Sequence, residues 1–233
     1  MSEIKELVEE KKAEVKEREP LFSKKNKKLI TDPLDENNPI TIQVLGICSA
    51  LAVTVQMKAA VVMSVAVLFV LILANMSISM IRNLIPNRIR IIVQLVVVAA
   101  LVIVVDQVLK AYLYDVSKEL SVFVGLIITN CIIMGRLEAF ALGNKVWPSA
   151  LDAVGNSIGY GMVLVIVSFF KELFGSGKLF GYEIFGNAAE GSGLYSLGYM
   201  DNGLMLLPPS SLILVAIYIW IQKIRNPSLI ETT

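Results

Sequence analysis

Gln43-Val44-Leu45-Gly46-Ile47-Cys48-Ser49-Ala50 and Gly125-Leu126-Ile127-Ile128-Thr129-Asn130-Cys131-Ile132 decide how this chain is read. Each is a short apolar segment interrupted by glycine or polar side chains, and each carries one of the two cysteines found in 233 residues. The chain around them is 55% hydrophobic and 18% charged, with mean hydropathy +0.69, which is not the composition of a soluble domain. Its charges gather at the front: residues 1–36 hold nine of the 21 Lys and Arg and ten of the 20 Asp and Glu. The remainder reads as membrane-embedded.

Six stretches lack Asp, Glu, Lys and Arg: 37–57, 59–81, 91–105, 120–135, 153–170 and 202–222. About 20 helical residues at ~1.5 Å each cross a hydrocarbon core of ~30 Å. The expected architecture is therefore an all-α integral membrane protein with six spans, near 39–57, 59–81, 89–110, 120–136, 151–172 and 204–223. A charged extension over 1–36 precedes this 37–225 domain, and a short tail over 226–233 follows it. With no apolar run before Glu36, the first apolar segment is expected to act as the insertion signal, and 2–19 as a solvated helix or frayed tail. Alternating the six spans puts sixteen of the 21 Lys and Arg on one side and five on the other, so both termini are expected in the cytoplasm.

Dividing the spans into two sets of three places one interrupted, cysteine-bearing segment at the head of each set. Three is odd, so the second set must cross the membrane in the opposite sense, and the halves would form an inverted repeat. If helical, Cys48 lies ~13.5 Å past Pro39 and Cys131 ~18 Å past Glu119, from opposite faces, so both reach the middle of the core. Broken segments at that depth are tolerated where they are buried in protein or line a cavity. A pair of thiols near the midplane has three readings: small packing residues, a disulfide, or two ligands of an iron or iron–sulfur site. Two thiolates complete half of such a site, and the other half would come from a second chain.

Other chemistry is excluded by what is missing. Histidine is absent, which removes imidazole ligands, triads and proton relays. A net charge of +1 supplies no field for nucleic acid. Gly175-Ser176-Gly177-Lys178 lacks the first glycine of a phosphate loop and has Leu179 where Ser or Thr is required, so the outer loop over 174–203 is read as a loop or partner contact. Asp106 and Asp152, with Glu172 behind them, are ion-pathway candidates, because a carboxylate in or beside a span is costly. Lys110, four residues on, can neutralise Asp106, and Glu138 near Arg136 reads as a structural residue of the cytoplasmic rim.

The blocks from Asn38-Pro39 to Thr54, from Val104 to Leu109, from Val124 to Phe140 and from Phe169 to Gly181 resemble the family of D-type subunits of the sodium-translocating NADH:quinone oxidoreductases. The resemblance runs from Leu34 to the C-terminus and leaves 1–33 unaccounted for. It implies a bacterial inner-membrane complex of six subunits that couples electron transfer to sodium export. It further implies that Cys48 and Cys131 supply half the ligands of an intramembrane iron or [2Fe-2S] centre, the rest coming from the homologous E-type subunit. That centre would relay electrons from a ferredoxin-like cluster in the NADH-oxidising subunit to a flavin in the C-type subunit. NADH, FAD, FMN, riboflavin and quinone would be bound by other subunits, so no complete active site and no catalytic residue is expected on this chain.

The Rnf-type ferredoxin:NAD oxidoreductases share the Thr129-Asn130-Cys131 and Gly135-Arg136-x-Glu138-Ala139-Phe140 patterns. In that branch Pro tends to follow the first cysteine and the aspartate of the third span is lacking, whereas here Ser49 follows Cys48 and Asp106 is present. A stand-alone secondary transporter shares the inverted-repeat signature and would bind solute and no iron. A structural assembly factor would dispense with both cysteines.

Overall fold

The computed structural model describes residues 24–34, 37–86, 88–112, 125–179, 182–183 and 203–226. The helix expected over 2–19, the start of the fourth span, most of the outer loop and the tail beyond 226 lie outside them. The regular elements of the described residues are helices apart from a two-residue antiparallel pairing of β1, Lys178–Leu179, with β2, Tyr182–Glu183.

In chain order the helices are α1, Lys24–Thr31, followed by a tight turn Asp32–Leu34; α2, Ile47–Val53; α3, Met57–Ile81; and α4, Arg90–Tyr112. A helical turn over 125–128 leads to α5, Cys131–Arg136, which runs on as a π-helical turn, Leu137–Ala141. Then come α6, Val146–Ser176; α7, Gly203–Leu206; and α8, Pro208–Arg225. Met57–Ile81, Arg90–Tyr112 and Val146–Gly175 are long and apolar enough to cross a membrane. They overlap the stretches expected as the second, third and fifth spans, the last being longer at both ends.

The other three expected spans are interrupted, each for a local reason. Asn38 accepts at Oδ1 from the backbone N–H groups of Ile40 (3.0 Å) and Thr41 (3.4 Å), a turn that competes with helix, so helix starts only at Ile47. Thr129 and Asn130 break the fourth, and the Asn130 side chain then caps α5 by accepting from Ile132 N–H. Leu207 is extended before Pro208, which suits the first helical position and splits the sixth.

The core is built on α3 and α6, which run side by side. They approach closely where Gly161 faces Ser64: a Cβ on Gly161 would lie 3.0 Å from the serine Cβ. Asn75 of α3 donates to the Ser149 carbonyl at 3.0 Å, and Glu172 of α6 accepts from the Met57 N–H at 2.6 Å, capping the start of α3. In α4 the buried residues are Gln94, Val98 and Val102, one stripe at i, i+4, i+8, while Ile91, Val96, Ile103 and Val108 face outward. A helix so exposed and so apolar suits lipid or another subunit.

Residues just before the first apolar stretch pack on α6. A Cβ at Gly155 would sit 2.5 Å from the Leu29 carbonyl oxygen, and one at Gly159 would overlap the Pro33 carbonyl. Ala normally gains about 1 kcal/mol over Gly inside a helix. Here Gly159→Ala is expected instead to destabilise by about 1–3 kcal/mol, since backbone must move to admit the methyl. A thermal melt no lower than wild type would show that the 29–33 segment does not pack there.

Candidate metal centre

The two half-helices deliver the cysteines to each other. Cys48 is the second residue of α2 and Cys131 the first of α5, and their Sγ atoms lie 3.6 Å apart across 83 residues of sequence. The chain turns into α2 through Val44 at φ 57° and Gly46 at φ 86°, both left-handed. Glycine accepts that conformation freely, and valine, being β-branched, does so only when its surroundings hold it. Gly46 is further required because a Cβ there would lie 2.9 Å from Cε2 of Tyr160.

Two sulfurs on one tetrahedral metal, at bond lengths of ~2.3 Å, lie ~3.8 Å apart. The observed 3.6 Å fits that edge and is far longer than the ~2.05 Å of a disulfide. Both cysteines are free and exposed on this chain, so the pair is open to a second set of ligands. Among the described residues no group of three or more Cys, Asp or Glu is arranged to hold a metal ion. The residues present therefore fit half of a thiolate site.

Three buried polar side chains surround the pair. Tyr160, fully buried in α6, donates its hydroxyl to Ser49 Oγ at 2.6 Å and accepts from Asn130 Nδ2 at 3.3 Å. Ser49 in turn donates to the Gly46 carbonyl at 2.7 Å. Ser49 and Asn130 each adjoin one of the cysteines. A tyrosine inside an apolar run reads as core, so no pattern singles out Tyr160; the signal visible in the sequence is the polar Asn130 deep in the fourth segment.

The carboxylate candidates are engaged elsewhere. Asp106, one turn past Val102 on the inner stripe of α4 and 15% exposed, pairs with the more exposed Lys110 at 2.6 Å. Asp152 is buried and receives both Nε (3.0 Å) and Nη2 of Arg136, while Arg136 Nη1 reaches Gln43 Oε1 at 3.4 Å and Asn156 Nδ2 donates to Asp152 at 3.1 Å. Glu138 pairs with Arg90 at 2.6 Å and accepts from Gln94 at 3.1 Å, joining α4 to the π-helical turn rather than meeting Arg136. Glu172 caps α3, and its neighbour Lys171, one of the five cations that the charge count puts on the outer side, is fully buried and donates to Ser211 Oγ at 2.8 Å. It is buried because α6 continues to Ser176.

Apolar helices around a pair of broken ones, with two thiols where the broken ones meet, define a helical membrane protein carrying a two-sulfur site. A family model described as Rnf-Nqr subunit, membrane protein, matches residues 26–219, and the chain belongs to that family. The D subunit of the Na⁺-translocating NADH-quinone reductase of Photobacterium profundum is 54% identical over 209 residues, covering 90% of this chain and 97% of that protein.

Proposed function

We propose that this chain is the D-type membrane subunit of a sodium-translocating NADH:quinone oxidoreductase, where Cys48 and Cys131 supply two thiolates to an intramembrane iron or [2Fe-2S] centre. The similarity to a reductase subunit over nearly its whole length supports the complex. The observation that carries the site is the 3.6 Å approach of the two sulfurs. Iron held there would supply one-electron transfer. What this chain's residues do is present two sulfurs at a metal-compatible spacing, on a face left open for the homologous E-type subunit to supply the rest.

The same reading takes the six segments as two inverted repeats in a bacterial inner membrane, with both termini cytoplasmic, 1–36 as an extension and 37–225 as the membrane domain. Ser49 after Cys48 and Asp106 in α4 favour the quinone-reducing branch over the Rnf-type branch. NADH, FAD, FMN, riboflavin and quinone belong to the other subunits of the six.

The test is purification through a tag on this chain. The expected product is a complex of six subunits with sodium-stimulated NADH:quinone activity, containing iron that scales with the chain. Recovery of a solute-binding protein without iron, flavins or partners would establish the transporter reading instead.

Asp106 and Asp152 are our candidates for the ion path, and each would have to leave its cationic partner to bind Na⁺. Asp106→Asn breaks a partly exposed pair, so its cost in stability is expected to be about 0–1 kcal/mol. Its informative readout is the sodium concentration needed for half-maximal turnover, which should rise. An unchanged sodium dependence would remove Asp106 from the path.

A further inference from the structure

Resting on the thiolate reading above, we infer that Tyr160 is the positioning residue of the sulfur pair: its hydroxyl ties the starts of the two cysteine-bearing half-helices together, and α6 thereby sets the gap between Cys48 and Cys131. The seven residues of α2, and the six of α5 with the five of the π-helical turn that continues it, are below the length at which a helix holds itself in place. Something outside them must fix their separation.

The hydrogen bonds run in one direction through Tyr160. Ile132 N–H donates to Asn130 Oδ1 (3.4 Å), Asn130 Nδ2 to Tyr160 Oη (3.3 Å), Tyr160 to Ser49 Oγ (2.6 Å), and Ser49 to the Gly46 carbonyl (2.7 Å). The series begins in the first turn of α5 and ends on the residue that precedes α2. Each of the two hydroxyls donates once and accepts once, as buried hydroxyls must to avoid an unpaired group. The tyrosine ring closes on Gly46, where any side chain would strike it. Both half-helices thus register against one rigid side chain on one of the long core helices.

The test uses the full chain in detergent, metal-free and reduced, with a short bifunctional thiol alkylator as probe. Cross-linking of Cys48 to Cys131 is followed by peptide mass. Tyr160→Phe retains the ring and loses both bonds, so cross-linking is expected to slow by about fivefold or more. Ser49→Ala should slow it in the same direction, and it decides the question if Tyr160→Phe does not fold. Asn75→Leu removes a comparable bond between α3 and α6 away from the cysteines; it should lower the melting temperature and leave cross-linking at the wild-type rate.

In the assembled complex Tyr160→Phe is expected to change the spectrum or midpoint potential of the centre. Wild-type cross-linking in folded Tyr160→Phe, or equal slowing in Asn75→Leu, would overturn the assignment. Iron analysis of the cysteine variants tests the ligand reading separately, so either idea can fail without the other.

Discussion

On the thiolate reading proposed above, Cys48→Ala and Cys131→Ala are each expected to remove one and the same iron centre and to lower NADH:quinone turnover by at least about 100-fold, given that even supporting residues around a metal are worth 10–100-fold. NADH oxidation by an artificial acceptor, which on this reading draws electrons before they reach this chain, should persist in both variants. Removing one thiolate from a shared site leaves the remaining ligands unable to close a tetrahedron, so the two substitutions should be equivalent and the double variant no worse than either. Iron and acid-labile sulfide in the purified complex, assayed beside the flavins, give the direct measurement. Retained quinone reduction in both variants would return the cysteines to packing, for which a 3.6 Å contact is also suitable.

The second large effect concerns the Arg136–Asp152 pair. Arg136→Met is expected to destabilise the protein by about 3–5 kcal/mol, because it leaves the Asp152 carboxylate, 3% exposed, without its cation. The bond from Asn156 compensates in part but adds no charge. Arg136→Met combined with Asp152→Leu should recover most of the loss, since the cost lies in an unpaired charge rather than in the absence of a pair. Thermal unfolding of the single and double variants measures both effects. A single variant within about 1 kcal/mol of wild type would show that Asp152 sheds its unpaired charge, by taking up a proton or by reaching water, and that the pair is not what holds it.

The meeting of the cysteines is legible because two interruptions at matching places are a pattern, and patterns survive in a sequence without coordinates. Glu138 reads as structural, and its partners are what the sequence leaves open. Residues 136 and 138 sit two apart, on different sides of a helix, and Glu138 turns instead toward Arg90 and Gln94 of α4. Lys171 counts as an outer-side cation at the end of the fifth stretch because hydropathy cannot tell a helix end in water from one covered by Ser211 of a neighbouring helix. The breaks at Asn38 and Asn130 are visible as polar residues in apolar runs, but their consequence, two half-helices starting at one place, depends on Tyr160 from 30 residues beyond Asn130. Side chains acting across elements leave little periodic trace.

The crossing of the 29–33 segment over Gly155 and Gly159 has a bearing on how the chain is made. Asn38 finds its partner, the Gly159 carbonyl, 121 residues later, and Cys48 finds Cys131 after 83. At a ribosome adding about 5–20 residues each second, these partners emerge on the order of ten seconds apart. During that interval the front of the protein has been synthesised without the α6 surface it packs on, and Cys48 stands without its partner. The thiol pair can form only after the second half has been inserted, so any metal the pair holds must arrive after insertion rather than during it.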